Sequence, residues 1–307
     1  MDIKELSLVL FTVVMQMAIG AFCILGGVHF FASRRNGPEE ADKLSDRALV
    51  AIGPLAVFAL LVTLFHLGNP LNAPRAILNF GSSWLSREIV LAVVFSGGGA
   101  LFALLQWRKL GSAGLRNALA LLVAAVGLVL VYAMSQVYQL ASVPAWHSLN
   151  TPVSFYTTTL LLGALAMGAA FVVNFWYVKR NQMDPANVQY SMLATSLRYI
   201  ALLAMAMMGI QFIVMPLYFA SLSTAGNAAA SASLNVVFGE HGVLLAVRLL
   251  LLFVGAGLLS LFVYQLADRE SKLRLTGNLA YLAFALVLVS EILGRFLFYE
   301  SMVRIGL

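Results

Sequence analysis

Of the chain's 307 residues, 61% are hydrophobic and 10% are charged, well below the roughly 25% charged residues of an ordinary soluble domain. A surface that poor in charge excludes a water-soluble enzyme, and so apolar a composition excludes a disordered chain. The 19 Lys and Arg exceed the 13 Asp and Glu by six, an excess that in a membrane protein belongs in cytoplasmic loops rather than on nucleic acid. A single cysteine, Cys23, excludes an internal disulfide, a cysteine-ligated iron–sulfur cluster and a Cys-x-x-Cys-His haem attachment.

Long apolar runs predict eight transmembrane helices over residues 6–31, 48–67, 89–106, 115–139, 153–178, 197–220, 243–266 and 277–299. Each suffices for a hydrocarbon core about 30 Å thick. The first run is expected to be retained rather than cleaved, since it opens on Asp2, Lys4 and Glu5 instead of a basic region. Asn36-Gly37-Pro38, Asn69-Pro70, Pro144, Thr151-Pro152 and Asp184-Pro185 fall between runs as stop signals. Pro54 and Pro216 fall within runs, where a kink is expected. The fold class is therefore an all-α integral membrane protein, a single membrane domain over residues 1–307. An even number of spans allows two four-helix bundles, 1–150 and 151–307.

Basic residues alternate from loop to loop. Arg34, Arg35, Lys43 and Arg47 follow the first span, and Arg108, Lys109 and Arg116 the third. Lys179, Arg180 and Arg198 follow the fifth, and Arg269, Lys272 and Arg274 the seventh. The opposite side holds only Lys4, Arg75, Arg87 and Arg304. The positive-inside rule then puts both termini and the loops 68–88, 140–152 and 221–242 outside the cytoplasm.

Intramembrane charge is costly and marks function more often than charge elsewhere. Arg248 lies about one and a half turns into the seventh span, while Glu291 and Arg295 share a face of the eighth. Glu88 opens the third span, Glu240-His241 the seventh, His66 closes the second, and His147 sits in the loop 140–151. All fall at the outer side, and only His29 lies near the inner face. Glu291 and Arg295 read either as a structural ion pair or as site residues. Arg248 reads as a partner for Glu291 or as a snorkelling residue. His147 beside Trp146 suits an interfacial anchor, and His241 a helix cap. The midplane stretches are Leu, Val, Ala, Phe and Met, without the broken helices of a transporter. An apolar pocket with titratable groups at its mouth suits a long-tailed amphiphile such as a quinone, whose oxidation needs bases for two protons.

The stretch His66-Leu67-Gly68-Asn69-Pro70 leads through Ala73, Gly81 and Ser83 to Leu85-Ser86-Arg87-Glu88-Ile89. It resembles the hallmark of the membrane-anchor subunit of bacterial anaerobic dimethyl sulfoxide reductase, the third subunit of a three-subunit molybdoenzyme. Val143-Pro144-Ala145-Trp146, Glu291-Ile292-Leu293-Gly294-Arg295 with Phe298-Tyr299, and Val9-Leu10-Phe11-Thr12-Val13 with Gln16 fit in order along the sequence. Asn69 and Asn72 stand where an arginine is expected, with Arg75 displaced. The resemblance implies a bacterial inner-membrane protein without haem or metal of its own. Its partners would be a four-cluster iron–sulfur subunit and a molybdopterin catalytic subunit, and its bound substrate menaquinol. It ties quinol binding and oxidation to His66 and Glu88, with Arg248, Glu291 and Arg295 as further candidates for lining the quinol pocket.

Three rivals keep part of this picture. A haem-b quinol oxidoreductase subunit would draw on His66 and His241, which share a level but sit at span ends. A small-anion transporter would use Arg248 and Arg295. An anchor of a related molybdoenzyme would serve another sulfur or oxoanion substrate that this protein never meets.

Overall fold

The computed structural model describes residues 3–66, 78–181, 188–267 and 273–306. Within them lie nine α-helices: α1 (Ile3–Asn36), α2 (Pro38–His66), α3 (Trp84–Trp107), α4 (Ala113–Gln136), α5 (Asn150–Arg180), α6 (Val188–Ser223), α7 (Ala228–Asn235), α8 (Gly242–Ala267) and α9 (Leu273–Glu300). Seven helices among the described residues are long and apolar enough to cross a membrane, namely α1, α3, α4, α5, α6, α8 and α9. The helix α2 is the other long one. Pro54 and Pro216 both sit inside continuous helices, α2 and α6.

Local chemistry sets the ends. Gly37 adopts φ +92°, a left-handed conformation that turns the backbone between α1 and α2, and Pro38 then occupies the first helical position of α2. The Ser83 hydroxyl accepts the Ser86 N–H at the start of α3, and Ser112 does the same for Leu115 at the start of α4. The short α7 departs from expectation, because residues 221–242 read as a loop. Its start is nevertheless visible in the sequence: Asn227 caps it by accepting the Ala230 N–H at 2.8 Å, ahead of a run of alanines and serines. A single π turn, Val236–Glu240, then leads into α8.

The helices pack in pairs, α1 with α2, α3 with α4, α5 with α6 and α8 with α9, and α1 and α5 cross at the centre. The crossing is backbone on backbone. A Cβ on Gly20 would overlap the Thr159 carbonyl, and one on Gly163 would overlap the Gly20 backbone. Such contact needs small residues, which is how helices gain van der Waals attraction where lipid removes the hydrophobic drive. The outer faces carry exposed apolar side chains, among them Val93 and Leu101 on α3 and Leu250, Phe253 and Leu261 on α8, as a lipid-facing surface requires.

At the end rich in Arg and Lys, polar contacts fasten α2 to its neighbours. Gln106 of α3 donates to Asp42 and Asp46 of α2, both at 2.9 Å. Lys109 pairs with the same carboxylates at 3.1 and 2.8 Å, and the Arg116 Nε donates to Gln106 at 2.9 Å. His29 shares a hydrogen bond with Ser45 at 2.8 Å, and Arg47 donates to Asn174 of α5 at 3.1 Å. Burial pushes the Asp42 carboxyl up, but the hydrogen bonds from Gln106 and Lys109 outweigh it and hold the group below its ordinary value.

Two outcomes follow. Gly163→Leu should force α1 from α5, cost about 1–3 kcal/mol or more, and lower the thermal unfolding midpoint in detergent; an unchanged midpoint would mean the backbones do not touch. The Asp42 carboxylate, with its lowered folded pKa, stabilises the fold above the ordinary value of about 3.9, and loses that effect as pH falls below it. Unfolding midpoints taken from about pH 6 down to about pH 3 should therefore drop, and Asp42→Asn should flatten that drop.

Candidate functional site

The end opposite the basic network is built on aromatic rings. Trp146, in the turn between α4 and α5, stacks on Phe298 of α9 at 5.3 Å with an interplanar angle of 16°. Its indole N–H donates to the Phe298 carbonyl at 2.7 Å. Tyr138, Phe155 and Tyr299 complete the cluster around Phe298. The residues after α9 are drawn in as well: the Ile305 N–H donates to the Ser142 carbonyl at 2.8 Å, and the Ser233 hydroxyl of α7 to the Ser301 carbonyl at 2.8 Å.

Glu291 and Arg295 do not pair with each other. Glu291, 3% exposed, accepts the Thr158 hydroxyl of α5 at 2.5 Å through Oε2. The Arg295 Nη2 donates to Gln16 of α1 at 2.9 Å, and its guanidinium lies 3.8 Å from the Phe155 ring centroid. Each charge is thus held by neutral groups, a hydroxyl, an amide and the negative face of a ring. Arg248 of α8 is half-buried rather than snorkelling into open water. Its guanidinium rests against Gly294, where a Cβ would fall 2.5 Å from both Cζ and Nε. The glycine of the Glu-Ile-Leu-Gly-Arg segment is therefore a seat for the arginine of the neighbouring helix.

Arg248, Glu291 and Arg295 line one cleft, together with Thr158, Gln211, Tyr218, Phe298 and apolar residues of α6 and α8. The cleft lies among α5, α6, α8 and α9, with Val237 of the π turn on its wall. It holds about 790 Å³ of empty space, open mouth included. Three polar atoms of the residues around it, Glu291 Oε1, Gln211 Oε1 and Arg248 Nε, are buried without a hydrogen-bond partner among the described residues. An unpaired buried polar atom costs about 1–3 kcal/mol.

Glu88 is not on that wall. It is 5% exposed, near the start of α3, and has no hydrogen-bond or ion-pair partner among the described residues. The hydroxyls of Tyr138 and Tyr299 lie within its electrostatic reach. Those two share a hydrogen bond at 3.1 Å, and the Tyr299 hydroxyl donates to Thr12 at 3.4 Å. Arg295 is within electrostatic reach of the same two tyrosines, and Phe298 packs against both and lines the cleft. His66 ends α2, and its side chain lies outside the described residues. His147 is exposed, and His241 stands 3.8 Å from Glu300. Gln211, Thr158 and the seating role of Gly294 are additions that the sequence does not announce. Gln211 alone leaves a signal there, an amide amid the apolar run of α6.

The family described as the DMSO reductase anchor subunit matches residues 1–300. Two Escherichia coli proteins are similar over nearly the whole length. One is the anaerobic dimethyl sulfoxide reductase subunit named YnfH, 27% identical over 99% of this protein and 96% of its own length. The other is the C subunit of anaerobic dimethyl sulfoxide reductase, 26% identical over the same shares. The C subunit of the Haemophilus influenzae enzyme of that name is 29% identical over 55% of this protein and 59% of its own length.

The seat at Gly294 has a direct test. Gly294→Ala should displace the Arg248 guanidinium and lower stability by about 1–3 kcal/mol. Adding Gly294→Ala to Arg248→Ala should then cost almost nothing further in thermal unfolding. Additive losses would show that the two residues do not meet.

Proposed function

Because the protein belongs to the DMSO reductase anchor-subunit family, we propose that this multi-pass membrane protein tethers a molybdoenzyme complex of that type and feeds it electrons from menaquinol. Its partners are then a four-cluster iron–sulfur subunit and a molybdopterin catalytic subunit. The membrane is the bacterial inner membrane, crossed eight times with α2 as the remaining span. The loop asymmetry in Arg and Lys supports placing both termini and the quinol site on the periplasmic side.

The observation that carries the proposal is Glu88, a buried carboxyl within electrostatic reach of the paired hydroxyls of Tyr138 and Tyr299, at the end of the bundle away from the basic network. Quinol oxidation releases two protons and two electrons. His66 accepts a hydrogen bond and then a proton from one quinol hydroxyl, and Glu88 takes or relays the other. The electrons leave singly to the nearest cluster of the iron–sulfur partner, seated on the same side. Protons are then released where they are formed. If the terminal reductase consumes its protons on that side too, turnover stores no charge across the membrane.

Glu88→Gln keeps the shape and removes the base, and His66→Ala removes the other acceptor. Each should cut quinol-driven turnover by about a hundredfold or more, while the complex still assembles on the membrane. Turnover at the normal rate in either assembled variant would refute that residue's role.

A further inference from the structure

A second hollow, a groove of about 1670 Å³ with its open face included, lies between α1 and α6. Residues 23–36 of α1 run along it, about 20 Å at the rise of an α-helix. One leaflet of a bilayer offers about 15 Å of hydrocarbon and about 5–7 Å of head-group region, so the groove is as long as one lipid. Its character changes along that length. The deep part is apolar, lined by Ile24, Val28, Ile200 and Leu203, with Leu160 of α5 beside the α1–α5 crossing. The end nearer the basic network is polar: Arg35 and Asn36 finish α1 there, and Ser191 and Thr195 belong to the opening turns of α6. Other cations of that end are engaged, Lys43 with Glu40, Lys109 with Asp46, and Arg34 over the Phe30 ring at 4.2 Å. The side chains of Arg35, Ser191 and Thr195 have no hydrogen-bond or ion-pair partner among the described residues. Gly27 keeps the groove open. Whereas a Cβ on Gly20 would strike the Thr159 carbonyl, one on Gly27 would meet nothing within 4 Å among the described residues.

The occupant such a groove suits is apolar for most of its length and carries acceptors at one end. A phosphodiester brings acceptors alone, matched by a guanidinium and two hydroxyls that donate. Charge selects further, because an ammonium beside the phosphate would face Arg35 and its neighbour Arg34, whereas a net anionic head group is attracted by both. We propose that the groove is a site for one anionic phospholipid. An acyl chain lies over Gly27 against Ile24, Val28 and Leu203, and the phosphodiester accepts from Arg35, Ser191 and Thr195. The site needs only that the protein spans a membrane, and it takes no part in the electron path proposed above.

Photolabelling tests it on the full-length protein with its co-purifying subunits, in phosphatidylcholine nanodiscs doped with phosphatidylglycerol that carries a diazirine on one acyl chain. Peptide mass spectrometry should find adducts on segments 23–36 and 191–203. There phosphatidylglycerol should label about fivefold more than the matching phosphatidylcholine probe. On the outer faces of α3 and α8, where Val93, Leu250 and Phe253 are exposed, the two probes should label alike. Arg35→Gln should remove the preference, and Gly27→Leu, whose Cβ enters open space, should strip label from the groove and leave the outer faces unchanged. In the unaltered protein, unlabelled phosphatidylglycerol should compete for the groove, while inorganic phosphate and menaquinone should not, which keeps the test valid if a variant misfolds. Equal labelling of the groove by both probes overturns the proposal, as does a preference that survives Arg35→Gln. Displacement by menaquinone overturns it in favour of an isoprenoid tail, and displacement by inorganic phosphate in favour of a free anion.

Discussion

Two helices touch backbone to backbone only where neither carries a side chain, and α1 and α5 do so at Gly20 and Gly163. Much of the far end of the molecule follows from that approach. One turn before Gly20, Gln16 reaches Arg295. One turn and a little more before Gly163, Thr158 reaches Glu291, and two turns before it Phe155 lies under the Arg295 guanidinium. A larger residue at the crossing would separate α1 from α5, and Arg295, held by one group on each helix, would lose one of them. The charged residues of α9 are therefore positioned by the absence of atoms elsewhere.

The two ends of the bundle treat charge in opposite ways. Near the basic loops, Asp42 and Asp46 are matched by Lys109, Gln106 and Arg116, and their field is spent locally. At the other end, Glu291 and Arg295 stand on a hydroxyl, an amide and a ring with no ion pair between them, and Glu88 has no such partner among the described residues. A buried charge held by neutral dipoles keeps its field. The first arrangement suits a clamp. The second suits a place where charge must form or vanish.

The helices, their ends and the gathering of polar residues at one side are legible from apolar runs, prolines and the placement of arginine. What the sequence hides is contact between distant segments. The ion pair that the i, i+4 spacing of Glu291 and Arg295 suggests does not form, because Thr158 and Gln16, on other helices, offer each a partner. Gln16 and Arg295 are 279 positions apart, and no local pattern joins them. Grouping Glu88 with Arg248 and Glu291 follows from their common depth. Depth does not report which helices lie between them. The segment 228–240 is hidden by composition, since small residues without an apolar stripe resemble a loop until Asn227 is seen as a cap.

Phe298 belongs to two surroundings at once. On one side it stacks against Trp146, which belongs to a turn at the rim of the bundle. On the other it forms part of the cleft wall and lies 5.6 Å from the Arg295 guanidinium. Clasped this way, Phe298 ties the position of the Trp146 turn at the rim to the shape of the cleft wall.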